Sequence, residues 1–159
     1  MLHRDLKPGN VMVDATGQGV IIDWGLAQHR SAAADTSPVG TPEYMPPEQL
    51  DGCADPRSDV FGLGATLYEL LAHRPPYAFP PGAEPAAWGP VVRAADIVLP
   101  NRPQPAIPWA LGAICLRALA RSPAARYAGP RELADDVRRY LSGRPIVAAP
   151  EPIGESLRR

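Results

Sequence analysis

Four polar side chains near the start of the chain have the types and the spacing needed to handle a phosphate group. Asp5, Lys7 and Asn10 lie in the run HRDLKPGN at positions 3–10, and Asp23 opens the run DWG thirteen positions after Asn10. Carboxylates and a carboxamide bind hard cations such as Mg²⁺, and an ammonium group neutralises phosphate oxygens. Phosphoryl transfer from ATP to a hydroxyl needs mainly positioning and charge, so this set is sufficient in kind for that reaction.

A short β-hairpin is predicted to bring two of these side chains together. Two runs rich in β-branched residues, at 11–13 and 20–22, flank the segment 14–19, whose Asp and Gly residues are typical of a turn. Asn10 and Asp23 therefore lie at the two open ends of the hairpin. The carboxamide and the carboxylate can converge on one ion although they are distant in the sequence.

The motifs as a set resemble the catalytic lobe of eukaryotic-like bacterial Ser/Thr protein kinases. HRDLKPGN with DWG resembles the catalytic loop and metal-binding motif, and GTPEYMPPE at 40–48 resembles the end of the activation segment. SDVFGLG at 58–64 resembles the start of the long central helix, and SPAARY at 122–127 resembles the late loop that carries an arginine. The resemblance implies a partial kinase domain over 1–145, followed by a tail or juxtamembrane-like linker over 146–159.

The implied fold is mainly α, the C-terminal lobe of the α+β kinase fold, with the short β-hairpin carrying the metal-binding residues. By resemblance, Asp5 would be the catalytic base and Lys7 would neutralise the transferring phosphate. Lys7, Asn10 and Asp23 would bind the cofactors ATP and Mg²⁺, with Asn10 and Asp23 as the metal ligands. Taken alone, the Asp-x-Lys pair would be a surface ion pair, and Asn10 and Asp23 would be turn-capping residues. Those alternatives do not account for the residues that flank them.

The resemblance also implies an activation segment that regulates the site. Arg4 resembles the arginine that pairs with a phosphorylated activation loop, which makes Thr36 the first candidate phosphosite and Ser37 the second. An unmodified polar loop explains the composition of 26–39 equally well. Thr41, close after this loop, would contact the catalytic loop and help shape the site for the substrate hydroxyl.

Several residues are implied to be structural. His3 and Trp24 would pack together, Glu48 and Arg126 would form a buried ion pair, and Asp59 would hold the backbone around positions 3 and 4. The full structural set is His3, Arg4, Trp24, Glu48, Asp59 and Arg126.

Helix signals account for most of the remaining chain. Asp55-Pro56 predicts a helix start, and the apolar residues that follow at helical spacing predict a buried helix that ends near Arg74. The proline-rich stretch 75–108 leaves room for one short helix near 86–95. Pro108 and Pro130 each open a further helix. The apolar positions predicted for these three longer helices are Val60, Leu63, Leu67, Leu70 and Leu71; Leu111, Ile114, Cys115 and Ala118; and Leu133, Val137, Tyr140 and Leu141.

Composition limits the partners and the location. The 159 residues carry a net charge of −1, so no nucleic-acid partner is expected. Cys53 and Cys115 are isolated, the three histidines form no ligand pattern, and no apolar run could cross a bilayer. A cytoplasmic location is predicted. A membrane anchor beyond the C-terminus would belong to a full-length relative.

The sequence has no GxGxxG motif and no lysine besides Lys7, so the phosphate-clamping loop and the strand lysine of the resembled family are missing. Three hypotheses follow. In the first, the chain is the catalytic lobe of a Ser/Thr kinase that acts on proteins when an N-lobe is present. In the second, it is a non-catalytic binding module or pseudokinase-like fragment. In the third, it is a poorly folded remnant. A separate N-lobe or another kinase would be a partner. We expect the 159 residues alone to transfer negligible phosphate.

Overall fold

The computed structural model describes residues 1–29, 39–80, 82–99 and 107–149. Within these ranges it contains one hairpin, β1 (Val11–Val13) and β2 (Gly19–Ile21), and the four helices α1 (Pro56–Ala72), α2 (Pro85–Ala94), α3 (Trp109–Ala118) and α4 (Pro130–Leu141). The expected architecture, mainly helical with a short hairpin, is confirmed. The candidate phosphosites Thr36 and Ser37 lie outside the described residues.

Helix α1 is the central element, because α3 and α4 both pack on it and on each other. Its start is fixed locally. The Asp55 side chain accepts a hydrogen bond from the Arg57 amide (2.7 Å), and the Ser58 hydroxyl accepts one from the Asp55 amide (3.0 Å), which is a reciprocal capping box. The helix ends at Ala72, and the residue after it, His73, has a left-handed backbone (φ 54°). The predicted boundaries of this helix are therefore confirmed to within two residues.

The buried side of α1 differs in part from the predicted face. Val60, Phe61 and Tyr68 are buried as core residues, but the side chain of Leu70 is 67% exposed. Leu70 follows Phe61 by nine residues, which is about two and a half helical turns, so it projects from the opposite side of the helix. The prediction of Leu70 as a core residue was wrong.

Two apolar clusters form the core on either side of α1. One is centred on Phe61 and Tyr68 of α1 with Cys115 of α3, and the other joins α1 and α3 to the late loop and α4. Leu141, one of the apolar positions predicted for the last helix, is the final residue of α4 and is 75% exposed. The second cluster consists of Val60, Ile114, Ala118, Tyr127 and Leu133.

The hairpin is held by its turn rather than by the core. The Asp14 carboxylate accepts hydrogen bonds from the Thr16 amide (2.8 Å) and the Gln18 amide (2.9 Å), and Gly17 has a left-handed backbone. At the open end, the Ile22 amide donates to the Asn10 carbonyl (3.0 Å), which extends the ladder beyond β2. This bond places Asn10 beside the residue that precedes Asp23.

The chain stays packed after α4. The buried Asp136 carboxylate accepts hydrogen bonds from the Tyr127 hydroxyl (2.9 Å) and from the amides of Val147 (2.6 Å) and Ala148 (2.8 Å). Ile146 and Ala148 also pack against the second cluster. None of the helices in the described part of the chain combines the length and the apolar character that crossing a membrane would require.

Candidate active site

The backbone of the catalytic loop is anchored to the first turn of α1. The Asp59 carboxylate accepts hydrogen bonds from the His3 amide (2.9 Å) and the Arg4 amide (3.0 Å). Arg4 has a left-handed backbone (φ 68°), so the chain turns sharply immediately before Asp5. Asp59 therefore holds the backbone around positions 3 and 4, which is the contact expected from the sequence.

Asp5 lies at the centre of a cluster of polar contacts. Its Oδ1 accepts hydrogen bonds from the Thr41 amide (2.9 Å) and the Thr41 hydroxyl (2.8 Å). Its Oδ2 lies 2.9 Å from Lys7 Nζ and accepts a hydrogen bond from Asn10 Nδ2 (3.1 Å). Lys7 Nζ also donates to the Thr41 hydroxyl (2.6 Å). The structure thus brings together the predicted carboxylate, ammonium, carboxamide and hydroxyl.

The Asp5 carboxyl is held in its ionised form. Burial raises its pKa, but hydrogen bonds and charge from Lys7 and hydrogen bonds from Thr41 together outweigh burial, so the pKa lies below its ordinary value of 3.8. The side chain is only 9% exposed. A carboxylate that stays ionised near neutral pH can accept a proton from a hydroxyl group.

Asn10 and Asp23 are the residues that could hold a metal ion. Asn10 is buried, and its Nδ2 also donates to the Asp5 carbonyl (2.8 Å), so the amide oxygen faces away from Asp5. Asp23 has a left-handed backbone (φ 60°) and lies two residues beyond β2. A carboxamide oxygen and a carboxylate are hard donors, and two such ligands leave positions for phosphate oxygens and water, as Mg²⁺ prefers. The donor set therefore fits Mg²⁺.

His3 and Trp24 join the catalytic loop to the end of the hairpin. The buried His3 ring donates from Nε2 to the Ile22 carbonyl (3.1 Å) and accepts from the Asp5 amide at Nδ1 (3.3 Å). The ring of Trp24 lies 4.8 Å from the His3 ring, centre to centre, and is half exposed. The arrangement positions Asp5 and the segment around Asp23 relative to each other.

The Arg4 side chain reaches the segment that follows the DWG run. Its Nε donates to the Leu26 carbonyl (2.8 Å) and its Nη1 donates to Gln28 Oε1 (2.9 Å). Leu2 and Gln28 also exchange backbone hydrogen bonds. Pairing of Arg4 with a phosphorylated Thr36 or Ser37 stays a prediction.

A buried ion pair ties the end of the activation segment to the late loop. Arg126 Nη1 donates to Glu48 Oε1 (2.6 Å) and Nη2 donates to Glu48 Oε2 (2.9 Å). Ser58, in the capping box of α1, donates from its hydroxyl to Glu48 Oε1 (2.7 Å). The three residues connect the segment around Glu48, α1 and the late loop at one point.

Sequence reasoning missed Gln49 and the link between Tyr44 and Glu69. Gln49 is buried and donates to two backbone carbonyls, and the Tyr44 hydroxyl donates to the Glu69 carboxylate of α1. Burial, followed by that hydrogen bond, raises the pKa of Tyr44. The only signal available for Gln49 was its place directly after Pro47-Glu48, and a residue type alone does not distinguish a buried glutamine from a surface one.

Comparison with known proteins identifies the family. The family described as protein kinase domain matches residues 1–87. Serine/threonine-protein kinase PknB of Mycobacterium leprae is 35% identical over 91% of this chain, and probable serine/threonine-protein kinase PknB of Bifidobacterium longum is 35% identical over 96%. Serine/threonine-protein kinase PknD of Chlamydia felis is 33% identical over 91%. The chain spans 24%, 23% and 17% of the lengths of these relatives, respectively.

The family match covers the catalytic loop, the hairpin, the end of the activation segment and all of α1. The three relatives carry the similarity through most of the remaining chain. The chain therefore belongs to the protein kinase domain family and is similar to its eukaryotic-like Ser/Thr members from bacteria.

Proposed function

We propose that this chain provides the catalytic lobe of a Ser/Thr protein kinase, which transfers the γ-phosphoryl group of ATP to Ser or Thr hydroxyls of proteins. The observation that carries the proposal is the position of Asp5, whose two carboxylate oxygens are bonded by Thr41 on one side and by Lys7 and Asn10 on the other. A buried carboxylate with this many fixed partners is oriented for proton transfer.

In this reaction Asp5 accepts the proton of the substrate hydroxyl. Oδ1 is occupied by the amide and hydroxyl of Thr41, whereas Oδ2 is paired with the longer, partly exposed side chain of Lys7. We assign the proton to Oδ2, because Lys7 can turn from it toward a phosphoryl oxygen without moving the backbone. Thr41 keeps the carboxylate plane fixed during that exchange.

Asn10 and Asp23 would hold Mg²⁺ at the open end of the hairpin, and Lys7 would meet the ATP phosphates. Mg²⁺ and ATP, when bound, supply the phosphoryl group and neutralise the charge that develops during its transfer. Asn10 contributes in a second way that does not depend on the metal ion. Its amide nitrogen bonds both the carbonyl and the carboxylate of Asp5, and this pair of bonds fixes the orientation of the base.

The surroundings of Lys7 support transfer to a hydroxyl, and the preference for Ser and Thr rests on the names of the relatives. Lys7 bonds the Thr41 hydroxyl and lies beside Asp5, so a positive charge is present where the hydroxyl and the phosphoryl group would meet. The relatives from Mycobacterium, Bifidobacterium and Chlamydia are all named serine/threonine-protein kinases.

The test joins the whole chain to the ATP-binding part of the M. leprae relative, which supplies the phosphate-clamping groups absent from this sequence. Transfer of labelled γ-phosphate to peptides containing Ser or Thr is measured after ATP binding has been verified. We expect Asp5→Asn to reduce kcat by roughly 100-fold or more, as for loss of a general base. Asp135→Asn, the same substitution at an exposed position of α4, should leave kcat unchanged.

Two results would overturn the proposal. One is a fusion that binds ATP and transfers no phosphate, and the other is transfer that persists in Asp5→Asn. The first result would favour the non-catalytic binding module, and the second would show that Asp5 is not the base. The unfused chain provides the baseline, and we expect it to transfer negligible phosphate.

A further inference from the structure

Gln49 is a buried side chain that bridges two segments of the candidate active site. Its Nε2 donates hydrogen bonds to the Arg4 carbonyl (2.8 Å) and to the Val39 carbonyl (2.6 Å), and the residue is 3% exposed. The Arg4 carbonyl belongs to the catalytic loop, directly before Asp5. The Val39 carbonyl lies two residues before Thr41.

Gly40 shows how close this approach is. It has φ +113°, a conformation that side chains rarely adopt. A Cβ atom at this position would lie 2.8 Å from Gln49 Nε2 and 2.9 Å from the Arg4 carbonyl oxygen. The backbone between Val39 and Thr41 therefore passes directly over the bond from Gln49 to Arg4.

The chemistry of the bridge suits a primary amide. Two carbonyl oxygens face one nitrogen, so the residue must present two N–H groups, and a neutral amide provides both without a buried charge. Glutamate at this position would direct a carboxylate at two carbonyls, and an apolar residue would leave both carbonyls without this partner.

The bridge acts on the contact that orients the base. Asp5 and Thr41 are joined by two hydrogen bonds to Asp5 Oδ1, and each residue follows closely after a carbonyl that Gln49 holds. Because Gln49 fixes the two carbonyls relative to each other, it also fixes the segment around Asp5 relative to the segment around Thr41. Thr41 in turn accepts a hydrogen bond from Lys7, so displacement of the segment would alter three hydrogen bonds to two residues at once.

We propose that Gln49 is a positioning residue that holds Thr41 against Asp5. Its consequence for phosphoryl transfer rests on the proposed function, whereas its effect on Thr41 does not. The hydrogen bonds of Gln49 go to backbone carbonyls and not to the Asp5 carboxylate or the Lys7 ammonium group, so it acts through the backbone of the two segments.

The first test measures amide hydrogen exchange by NMR in the full 159-residue chain. The amide of Thr41, which donates to Asp5, is compared with the core amides of Ile114 and Val60. In Gln49→Met, which keeps the side-chain length but removes the donors, we expect exchange at Thr41 to accelerate about tenfold while the core amides are unchanged. Gln18→Met, the same change in the exposed hairpin turn, should leave all three amides unchanged.

A second variant reaches the same junction from the other side. Gly40→Ala inserts a methyl group between Gln49 and Arg4 while both residues remain. It should also accelerate exchange at Thr41, and the double variant should be less than additive because both changes break one bridge. If Gln49→Met does not fold, Gln49→Asn, which keeps the primary amide on a shorter side chain, takes its place in the comparison.

Phosphate-transfer kinetics, measured in the fusion to the relative's ATP-binding part, distinguish a positioning role of Gln49 from a role in overall stability. We expect Gln49→Met to lower kcat by roughly 10- to 100-fold with the KM for ATP unchanged, because misplacement affects the reacting groups. Unchanged exchange at Thr41 would overturn the proposal, as would equal loss of protection at Ile114 and Val60. A parent fusion that transfers no phosphate would refute the proposed function, and the exchange measurement would still decide the role of Gln49.

Discussion

In the part of the chain that the structure describes, the side chain of Arg126 connects several separate segments through its hydrogen bonds. Besides its two bonds to Glu48, it donates from Nε to the Ala120 carbonyl, from Nη1 to the Arg57 carbonyl and from Nη2 to the Arg121 carbonyl. These bonds use all five N–H groups of the guanidinium, and its side chain is completely buried. The charge is therefore fully compensated, and removing it would leave Glu48 buried without its partner.

We predict that Arg126→Met lowers the free energy of unfolding by about 3–5 kcal/mol, the usual cost of breaking a buried ion pair. Chemical denaturation followed by circular dichroism measures this loss. Arg138→Met is the matched control, because Arg138 pairs with Asp135 at a site where both side chains are more than half exposed. That control should change stability by less than about 1 kcal/mol. Equal effects of the two substitutions would contradict the assigned role of Arg126.

Much of the site at this scale was implied by the resemblance of the sequence motifs to the kinase family. The pairing of Glu48 with Arg126 and the contacts of Thr41 followed from the family resemblance, and both pairs are in contact in the structure. Gln49 could not be predicted, because its role depends on which backbone carbonyls come near it in three dimensions. A side chain that bonds backbone atoms leaves no complementary residue in the sequence to reveal it.

At the scale of elements, the glycines of α1 determine how closely its neighbours can pack. Glycine inside a helix normally lowers its stability by about 1 kcal/mol relative to alanine, so the glycines by themselves would weaken α1. In the structure, a Cβ at Gly62 would lie 2.8 Å from the Leu6 Cβ, and a Cβ at Gly64 would lie 2.7 Å from the Ala118 Cβ. The catalytic loop and α3 therefore approach the helix backbone directly.

Gly64→Ala is predicted to destabilise the fold by about 1–3 kcal/mol despite its better helix propensity, because it overpacks the contact with α3. The free energy of unfolding in urea measures the effect. Gly89→Ala in α2 is the matched control. The nearest atom to its Cβ is the flexible end of Arg93, so that substitution should be neutral or slightly stabilising. A stabilised Gly64→Ala variant would show that α3 can move away at little cost.

Element boundaries were more predictable than element orientation. The cap at Asp55 and the turn at Asp14 are made by side chains a few residues from the backbone they bond, so local sequence determines them. The exposure of Leu70 and Leu141 depends on which sides of α1 and α4 the other elements cover, and the spacing of apolar residues alone does not specify this. The bonds from residues 147 and 148 to Asp136 likewise require the folded arrangement of α4.

At the scale of the whole molecule, apolar side chains are concentrated on the hairpin, outside the core. The hairpin strip consists of Met12, Val13, Val20, Ile21 and Trp24, and these residues are 38% to 68% exposed. Both faces of the two-stranded sheet contribute, since Met12 lies opposite Val20 and Val13 opposite Gly19. Isolated exposed leucines are ordinary, but several apolar side chains exposed on both faces of a small two-stranded sheet favour association.

We predict that the 159-residue chain self-associates through the hairpin strip as its concentration rises from micromolar to submillimolar. Sedimentation velocity over that range should show growth of the average mass. The double variant Val13→Lys/Val20→Lys should stay monomeric, because charges on edge strands oppose pairing. The control Leu70→Lys/Leu141→Lys, which removes two exposed leucines away from the strip, should associate like the parent. A parent chain that remains monomeric would contradict the prediction. It would also favour a self-contained binding module, because a catalytic lobe that pairs with an ATP-binding part is expected to expose apolar surface such as this strip.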